Sequence, residues 1–183
     1  MATSPILIIS GTNRPGAFAL KVSKVLVEHY KSIGTPVELY NLGDLPQEIF
    51  DAGCYAVKPP AFMKVQDQVV HASGLHVVTP EYNGSFPGVL KYFIDMLKFP
   101  ESFERKPVAF TGEAAGMWGA LRAVEQLQMI FGYRNAYLYP ERVFIPGVTG
   151  KFDAAGQLTD PDINTRLASQ AKGFTAFVEA LKA

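Results

Sequence analysis

The stretch that decides the fold is residues 79–91, which read TPEYNGSFPGVLK. A mostly apolar run of strand length, residues 75–79, leads into it, and a turn-rich loop follows. Pro87 then stands where the first turn of a helix tolerates proline. We therefore predict a strand, a loop and the start of a helix. In an open α/β sheet, ligands bind at such loops, outside the carboxyl ends of the strands.

Short apolar runs of strand length alternate with longer stretches of helical spacing along the whole chain. Several apolar runs are continuous, which is typical of strands covered on both faces. The alternation predicts an α/β fold with a doubly wound parallel sheet. The predicted strands are 6–10, 37–40, 75–79, 107–111 and a split pair, 136–139 and 143–145. The predicted helices are 18–33, 61–71, 88–98, 118–131 and 163–181, and residues 41–60 are predicted to be a long irregular connection.

Length and composition indicate one globular domain over residues 1–183. Hydrophobic residues make up 48% of the chain and charged residues 19%, which argues against disorder, and no apolar run approaches the roughly 18 residues of a membrane span. Seventeen basic and seventeen acidic residues give a net charge of zero. We therefore expect neither nucleic acid nor a membrane surface as a partner, and any anion must be bound by local groups.

Cysteine and histidine usage argues against disulfides and metal sites. Cys54 is the only cysteine, which suits a reducing cytoplasm, and the three histidines lack the spacing of metal ligands. The first residues lack the features of a signal peptide, so we expect a cytoplasmic, unprocessed chain. His76 and Cys54 are predicted to be structural, and Trp118 is predicted to pack in the core, with a place beside a bound nicotinamide as the alternative.

The loop after the first strand, residues 10–16, reads SGTNRPG and runs directly into a helix. Such a turn points free backbone N–H groups and the positive end of the helix at one place, where Gly11 and Gly16 let a phosphate approach. Thr12 adds a hydroxyl and Arg14 a positive charge. Neither a Walker loop nor a Gly-x-Gly-x-x-Gly fingerprint is present. This loop alone leaves two interpretations open, a phosphate site or a polar turn with an ordinary surface arginine.

Residues 80–95 resemble the hallmark of the NAD(P)H-dependent FMN reductases of flavodoxin-like fold. That hallmark reads Pro-Glu-Tyr-Asn-(Gly/His)-Ser-x-Pro-Gly-x-Leu-Lys-Asn-x-Ile-Asp, and this chain departs from it only at Tyr92, where the family has Asn. The first loop is similar to the family's Gly-Ser/Thr-x-Arg motif. Residues 106–109 with the glycines at 112, 116 and 119 are similar to its third motif.

The resemblance implies a flavodoxin-like, doubly wound, five-stranded parallel sheet of order 2-1-3-4-5, with FMN lying across the strand ends. It also implies NADPH or NADH as electron donor and a small-molecule electron acceptor, which could be a flavin, a quinone, an azo compound or a metal oxyanion. No loop carries a basic side chain that decides between the two nicotinamides. Family members form homodimers or homotetramers.

The resemblance also assigns residues to the cofactor site. The first loop would hold the FMN phosphate, and the loop after the third strand would lie along the isoalloxazine edge with Tyr82 as an aromatic wall. Small residues between 112 and 116 would leave room for the planar ring. No residue is predicted to be catalytic. The predicted cofactor-binding residues are Gly11, Thr12, Arg14, Gly16, Ala17, Phe18, Pro80, Glu81, Tyr82, Asn83, Gly84, Gly112, Glu113 and Gly116.

The chain departs from the family directly after Gly16, where relatives usually supply Ser and Asn and this chain has Ala17-Phe18-Ala19. Each hydrogen bond to a charged group contributes roughly 1.5–3 kcal/mol, so losing two predicts FMN binding weaker by about two to four orders of magnitude. The alternative function is a flavodoxin-fold binding or regulatory protein with weakened or lost FMN binding. A carrier flavodoxin is a third hypothesis, but zero net charge and Arg14 argue against it.

The helix predicted at 88–98 carries apolar residues on two sides. One stripe is expected to cover the sheet, and Tyr92, Met96 and Phe99 form a second stripe at helical spacing. A helix that is apolar on two sides is usually covered on both. We therefore predict that the second stripe contacts another subunit, in keeping with the oligomers that the resemblance implies.

Overall fold

The computed structural model describes residues 4–182 and contains a parallel sheet with strand order β2-β1-β3-β4-β5. A sixth strand, β6, pairs with β4 beyond the end of β5. The observed order confirms the order 2-1-3-4-5 implied by the resemblance. The strands are β1 (Ile6–Ser10), β2 (Val37–Asn41), β3 (Gly74–Pro80), β4 (Pro107–Ala114), β5 (Tyr137–Leu138) and β6 (Val143–Pro146).

The predicted split of the last strand is present, although it makes the sheet six-stranded rather than five-stranded. β5 pairs with the start of β4 at Pro107 and Val108, and β6 pairs with its end from Thr111 to Ala114. The two short strands therefore share one position at the edge of the sheet. β6 brings the loop that follows it to the carboxyl end of β4.

Five helices cover the two faces of the sheet. They are α1 (Phe18–Ser32), α2 (Pro60–His71), α3 (Gly88–Met96), α4 (Leu121–Tyr133) and α5 (Pro161–Ala180). The apolar residues of α2, α3 and α4 pack with Leu7, Ile9 and Val77 of the sheet. Those of α1 and α5 pack with Ile6 and Ile8 on the opposite face. Strand residues are buried from both sides, which explains why their sequence is continuously apolar.

Two predicted helix boundaries are wrong for identifiable backbone reasons. The helix predicted from residue 118 begins at Leu121, because Gly119 and Ala120 have positive φ angles of 55° and 70°. Trp118 therefore lies in a turn before the helix and is 55% exposed, so the prediction that it packs in the core is wrong. The helix predicted to reach residue 98 ends at Met96, because Leu97 already has an extended backbone.

The connection 41–60 covers most of the second apolar stripe of α3. It forms three short 3₁₀ turns, 42–44, 47–50 and 52–55, that pack over α3. The Tyr92 hydroxyl donates to the Ile49 carbonyl at 2.6 Å, and its ring lies 5.1 Å from that of Phe50. Met96 is buried in the chain's own core. The second apolar stripe is therefore largely covered from within the chain, and only Phe99 of its three residues is exposed.

Membrane-spanning and metal-binding features are absent from the described part of the chain. None of the helices between residues 4 and 182 is long and apolar enough to cross a membrane. Within the same range, no group of three or more His, Cys, Asp or Glu side chains is placed to hold a metal ion.

Candidate functional site

Three loops at the carboxyl ends of β1, β3 and β4, together with the turn after β6, enclose a pocket of about 380 Å³, here called the strand-end pocket. This is the position at which an open α/β sheet binds ligands. The pocket brings together many of the residues predicted to bind a cofactor, namely Arg14, Gly16, Ala17, Phe18, Pro80, Glu81, Tyr82 and Glu113. The remaining lining residues are Pro15, Ala114, Ala115, Val148 and Thr149.

The loop after β1 delivers the N-terminus of α1 to the strand-end pocket. Gly16 has a φ angle of +71°, which favours glycine, and a Cβ there would meet no atom within 4 Å. Ala17 is the residue that caps α1, and it has no side chain that could accept from the first N–H groups of the helix. The positive end of α1 is therefore left without a cap from its own segment.

Gly11 and Thr12 lie behind the pocket rather than on its wall. The N–H of Gly11 donates to the Val78 carbonyl at 2.8 Å, and a Cβ at Gly11 would stand 2.7 Å from that same oxygen. Gly11 is thus required for the close approach of the loop to β3. The buried Thr12 hydroxyl hydrogen-bonds with the Tyr82 hydroxyl at 3.1 Å and accepts from the N–H of Arg14.

The loop after β3 is held by its own hydrogen bonds. Tyr82 and Ser85 exchange two backbone hydrogen bonds of 2.8 and 3.1 Å around Asn83 and Gly84, both of which have positive φ angles. Gln126 of α4 donates to the Gly84 carbonyl and accepts from the Ser85 hydroxyl. Asn83 and Gly84 therefore shape the turn that holds Tyr82, and they do not themselves line the strand-end pocket.

Glu81, which lines the strand-end pocket, has one carboxylate oxygen without a hydrogen-bond partner in the described part of the chain. One of its carboxylate oxygens accepts a long hydrogen bond of 3.4 Å from Arg122, which is largely exposed. The other oxygen, Oε2, is buried and has no hydrogen-bond partner among residues 4–182. A buried acceptor without a donor costs free energy, so a ligand that supplies an N–H or O–H group there is favoured.

The small residues in the loop after β4 do not all serve the same purpose. A Cβ at Gly112 would stand 2.6 Å from the Gly119 carbonyl, so Gly112 is required by packing against the turn before α4. Gly116 has open space around it but does not line the pocket. Ala114 and Ala115 do line it. The predicted reason, room for a planar ring, therefore does not account for Gly112, and for the two alanines it stays a prediction.

Glu113 is the one acidic residue buried in the described core, with 4% of its surface exposed. It lies opposite Pro80 of β3 and Ile145 of β6, at the carboxyl end of the sheet. The backbone N–H of Ala19, in the first turn of α1, is near enough to favour the ionised form of this carboxyl group. Burial raises the pKa of this group from its usual 4.5 to about 7.

Sequence reasoning found Glu113 but not its environment, and it missed Val148 and Thr149. These two residues follow β6 and complete the wall of the pocket beside Glu113. The only sequence signal for Glu113's position is the period of two along β4, which places residues 109, 111 and 113 on one face. No pattern within residues 143–150 predicts that their turn reaches the strand ends of β1 and β3.

His76 has the structural role that the sequence predicts. It is fully buried in β3, where Nδ1 accepts from the Tyr30 hydroxyl at 2.8 Å and Nε2 donates to the Thr111 hydroxyl at 2.8 Å. Thr111 in turn donates to Gln170, which fixes this direction. Burial lowers the pKa of His76 to about 3, so the ring is neutral at physiological pH.

Comparison with known proteins identifies the family. The profile of the NADPH-dependent FMN reductases matches residues 4–150. The chain belongs to the NADPH-dependent FMN reductase family. It is 32% identical to an NAD(P)H-dependent FMN reductase of Pseudomonas aeruginosa, over 97% of this chain and 96% of that protein. It is also 28% identical to a quinone reductase of Escherichia coli, with the same shares covered.

Solved structures agree with this membership of the FMN reductase family. FerB, a flavoenzyme NAD(P)H:(acceptor) oxidoreductase from Paracoccus denitrificans, superimposes with a TM-score of 0.79 and 25% identity. The superposition covers 98% of each chain. The flavodoxin-like fold predicted by the resemblance is therefore confirmed over almost the whole chain.

The residues of the strand-end pocket fit the cofactor after which the FMN reductase family is named. The buried Oε2 of Glu81 lacks a donor, and the flavin ring carries one at its N3–H. Gly16 leaves the loop open beside the uncapped N-terminus of α1, where a phosphate is favoured. Arg14 is exposed at the rim and can contact the same phosphate. The phosphate end departs from the family pattern at Ala17, and Glu113 lines the same pocket.

Proposed function

We propose that this protein is an NAD(P)H-dependent oxidoreductase that binds FMN in the strand-end pocket and reduces a small-molecule acceptor. The observation that carries the proposal is the convergence of three family motifs on one pocket at the strand ends. The names of the relatives in Pseudomonas aeruginosa and Escherichia coli support flavins and quinones as acceptors. Both NADH and NADPH are candidate donors.

The loop after β3 would orient the ring of the cofactor. Tyr82 is fixed between the Thr12 hydroxyl and the 82–85 turn, so its ring provides a rigid wall. Glu81 would accept from the ring N–H through its free oxygen. Because these groups are held before any ligand arrives, little conformational freedom is lost on binding.

The other two loops would hold the remainder of the cofactor. Backbone N–H groups at the start of α1, together with Arg14, would bind the phosphate. Ala114 and Ala115 leave space at the far side. When bound, FMN supplies the redox chemistry, taking a hydride from the nicotinamide and passing electrons to the acceptor. The protein therefore needs no nucleophile, and its part is to bind and orient.

A visible absorption spectrum tests the proposal directly. Purified protein is mixed with excess FMN, desalted at micromolar concentration, and then given NADH or NADPH in separate cuvettes under anaerobic conditions. We expect the flavin absorbance to stay with the desalted protein or, where FMN is lost on desalting, an equilibrium titration to show that FMN binds. Addition of at least one nicotinamide should bleach the bound flavin. A quinone added next should restore the absorbance. Failure of FMN to bind at any concentration up to millimolar would contradict the proposal.

A second candidate, a binding or regulatory protein with poor FMN affinity, is favoured by one region only. Ala17 supplies no donor, and Glu113 places an acid near the same helix end. A dissociation constant for FMN in the low nanomolar range would exclude weakened binding. Micromolar binding with full bleaching by NADPH would support the enzyme and would show that the protein binds the phosphate of FMN weakly.

We further propose self-association as a homodimer or homotetramer through the region of α3. The stripe on α3 that first suggested this is covered, but an apolar groove of about 870 Å³ lies between α3 and α4. Met129 and Tyr133 at its side are 69% and 80% exposed. Light scattering at micromolar protein tests this, and a monomer would exclude it. Met129→Glu on the exposed face of α4 should shift a dimer towards monomer.

A further inference from the structure

Glu113 lies on the face of the sheet that α1 covers. Within β4, Ala109 and Thr111 contact the α1 and α5 side, since Ala109 packs with the α1 and α5 core and Thr111 bonds to Gln170. Side chains alternate along a strand, so Glu113 points to that same side. Its neighbours across the sheet, Pro80 and Ile145, are at the ends of their own strands or next to them. The carboxyl group is therefore at the mouth of the sheet, below the first turn of α1.

The carboxyl of Glu113 takes the position at which the N-terminus of α1 would bind an anion. Ala17 offers no capping side chain, and the first turn of α1 contains no acidic residue. Instead Glu113, on β4, lines the same pocket as Ala17 and Phe18, and the backbone N–H of Ala19 favours its ionised form. A helix N-terminus favours one negative group close to its free N–H groups. Glu113 supplies that group from within the protein.

No basic side chain neutralises Glu113. Among residues 4–182, the ion pairs involve other groups, and Glu113 is in none of them. Arg14, in the loop after β1, is exposed at the rim of the pocket. Lys21 of α1 lies 4.7 Å from the centroid of the Phe18 ring, outside the pocket lining. A second negative charge brought beside an ionised Glu113 would therefore meet direct repulsion.

The other charged and polar groups around the pocket form ion pairs or hydrogen bonds with groups other than Glu113. Glu81, after β3, pairs with Arg122, and the Tyr82 hydroxyl bonds to Thr12. Lys151, after β6, pairs with Asp160. On α5, Arg166 donates to the Phe144 carbonyl of β6.

Burial raises the pKa of the Glu113 carboxyl to about 7, so its charge changes within the physiological range. A protonated carboxyl can donate a hydrogen bond to a phosphate oxygen, whereas an ionised carboxyl can only accept. The phosphate of FMN is doubly charged above its second pKa of about 6. Around pH 7 and above, the two groups therefore compete for the same helix end unless one of them carries a proton.

We propose that Glu113 determines which flavin the strand-end pocket accepts: a flavin phosphate binds at the N-terminus of α1 only with a proton on the Glu113 carboxyl. The proton comes from solvent and remains on Glu113 in the complex. Riboflavin has no phosphate and binds without it. This inference rests on the proposed function, because it concerns the phosphate end of the same pocket.

The proposal predicts that affinity depends on pH for FMN but not for riboflavin, although the two ligands share one ring. Dissociation constants for FMN and riboflavin are measured by quenching of flavin fluorescence from pH 6.5 to pH 8.5. We expect the dissociation constant for FMN to rise about tenfold or more across this range, because the fraction of protein with protonated Glu113 falls. That for riboflavin should change by less than about twofold. A constant ratio of the two affinities would overturn the proposal.

Two variants separate Glu113 from other charges. Glu113→Gln keeps a hydrogen-bonding side chain without the charge, so its affinity for FMN should be level between pH 6.5 and 8.5. At pH 8.5 it should bind FMN about tenfold or more tighter than the wild type. Glu125→Gln removes the same charge from the exposed face of α4 and should behave like the wild type. Equal pH profiles for wild type and Glu113→Gln would contradict the proposal.

If Glu113→Gln does not fold, a measurement on the wild type alone still tests the proposal. Calorimetric titration with FMN at pH 7.5, in two buffers of different ionisation enthalpy, should show uptake of roughly half to one proton per flavin. Riboflavin in the same buffers should show almost none. No proton uptake with FMN would overturn the inference while leaving FMN binding intact. Failure of both flavins to bind at any pH would instead reject the proposed function, and the inference with it.

Discussion

The loops after β3 and after β1 face each other across the strand-end pocket, and they are built in opposite ways. The 82–85 turn after β3 is closed by its own backbone hydrogen bonds and tied to α4 through Gln126. The loop after β1 directs its contacts inward, with Gly11 against Val78 and Thr12 against Tyr82. Towards the pocket it offers an uncapped helix end and the exposed Arg14.

The difference assigns different tasks to the two ends of the pocket. At the β3 end, Tyr82 is fixed by its hydrogen bonds before a ligand binds, so this end suits a rigid flat ring. At the β1 end, affinity would depend on backbone N–H groups and, as proposed above, on the charge of Glu113. We infer that the ring end decides whether a flavin binds and the phosphate end decides which one.

The largest effect is expected from a variant that gives the β1 loop the hydrogen-bond donor that it lacks. Ala17→Ser adds a hydroxyl at the pocket wall, next to the start of α1. One added hydrogen bond to a charged phosphate contributes about 1.5–3 kcal/mol, so affinity for FMN should rise about tenfold to a hundredfold. Fluorescence titration measures the change. Riboflavin is the control, and its affinity should stay the same.

Ala19, the other alanine of the 17–19 stretch, is not suited to the same substitution. Ala19 is fully buried in the core between α1 and the sheet, so a larger polar side chain there would disrupt packing. If Ala17→Ser tightened FMN and riboflavin equally, the hydroxyl would be acting on the fold of the loop and not on the phosphate.

The second prediction separates the two glycines of the β1 loop. Gly11→Ala places a Cβ 2.7 Å from the Val78 carbonyl and 3.0 Å from Leu90, so the flavin-free protein should lose about 1–3 kcal/mol of unfolding free energy. Gly16→Ala meets no atom within 4 Å and should cost about 1 kcal/mol, from its positive φ alone. Denaturant unfolding of both variants without flavin tests the order. A larger loss for Gly16→Ala would mean that Gly11 is not limited by packing.

The order of elements and the sheet could be predicted from the sequence, because apolar runs and helical spacing report burial directly. The boundary before α4 could not be predicted, since the positive φ angles of Gly119 and Ala120 depend on contact with β6. The covering of Tyr92 by residues 47–55 is likewise a contact between segments distant in sequence. Periodicity reveals that a helix face is apolar but not which segment covers it.

For the candidate site, the family pattern pointed to the loops that line the strand-end pocket but not to the reason for each residue. Gly11 and Gly112 have small side chains because the chain itself crowds them. Asn83 and Gly84 serve the turn and not the pocket wall. The position of Glu113 at the end of α1 depends on β4 and the first βα loop coming together, which only the folded chain shows.

The third prediction concerns the one hydrogen bond that joins the two loops, between Thr12 and Tyr82. Thr12→Val and Tyr82→Phe each remove one partner, and a double-mutant cycle isolates their coupling. We expect a coupling of about 0.5–1.5 kcal/mol in unfolding free energy. In the presence of FMN, either single variant should also weaken binding, because Tyr82 is then less fixed. Coupling near zero would show that the loops hold their positions independently.

The smallest expected effect tests whether Glu81 needs Arg122. Arg122 is 57% exposed and its contact with Glu81 is long, at 3.4 Å, so Arg122→Gln should change unfolding free energy by less than about 0.5 kcal/mol. Affinity for riboflavin should change by less than about twofold, because Arg122 bonds only to Oε1 of Glu81 and leaves Oε2 without a donor from residues 4–182 in either case. Glu81→Gln is the matched comparison, and it should weaken riboflavin binding several-fold. If Arg122→Gln weakened binding as much as Glu81→Gln, the arginine would be positioning the carboxylate, and the β3 loop would depend on α4 for more than its turn.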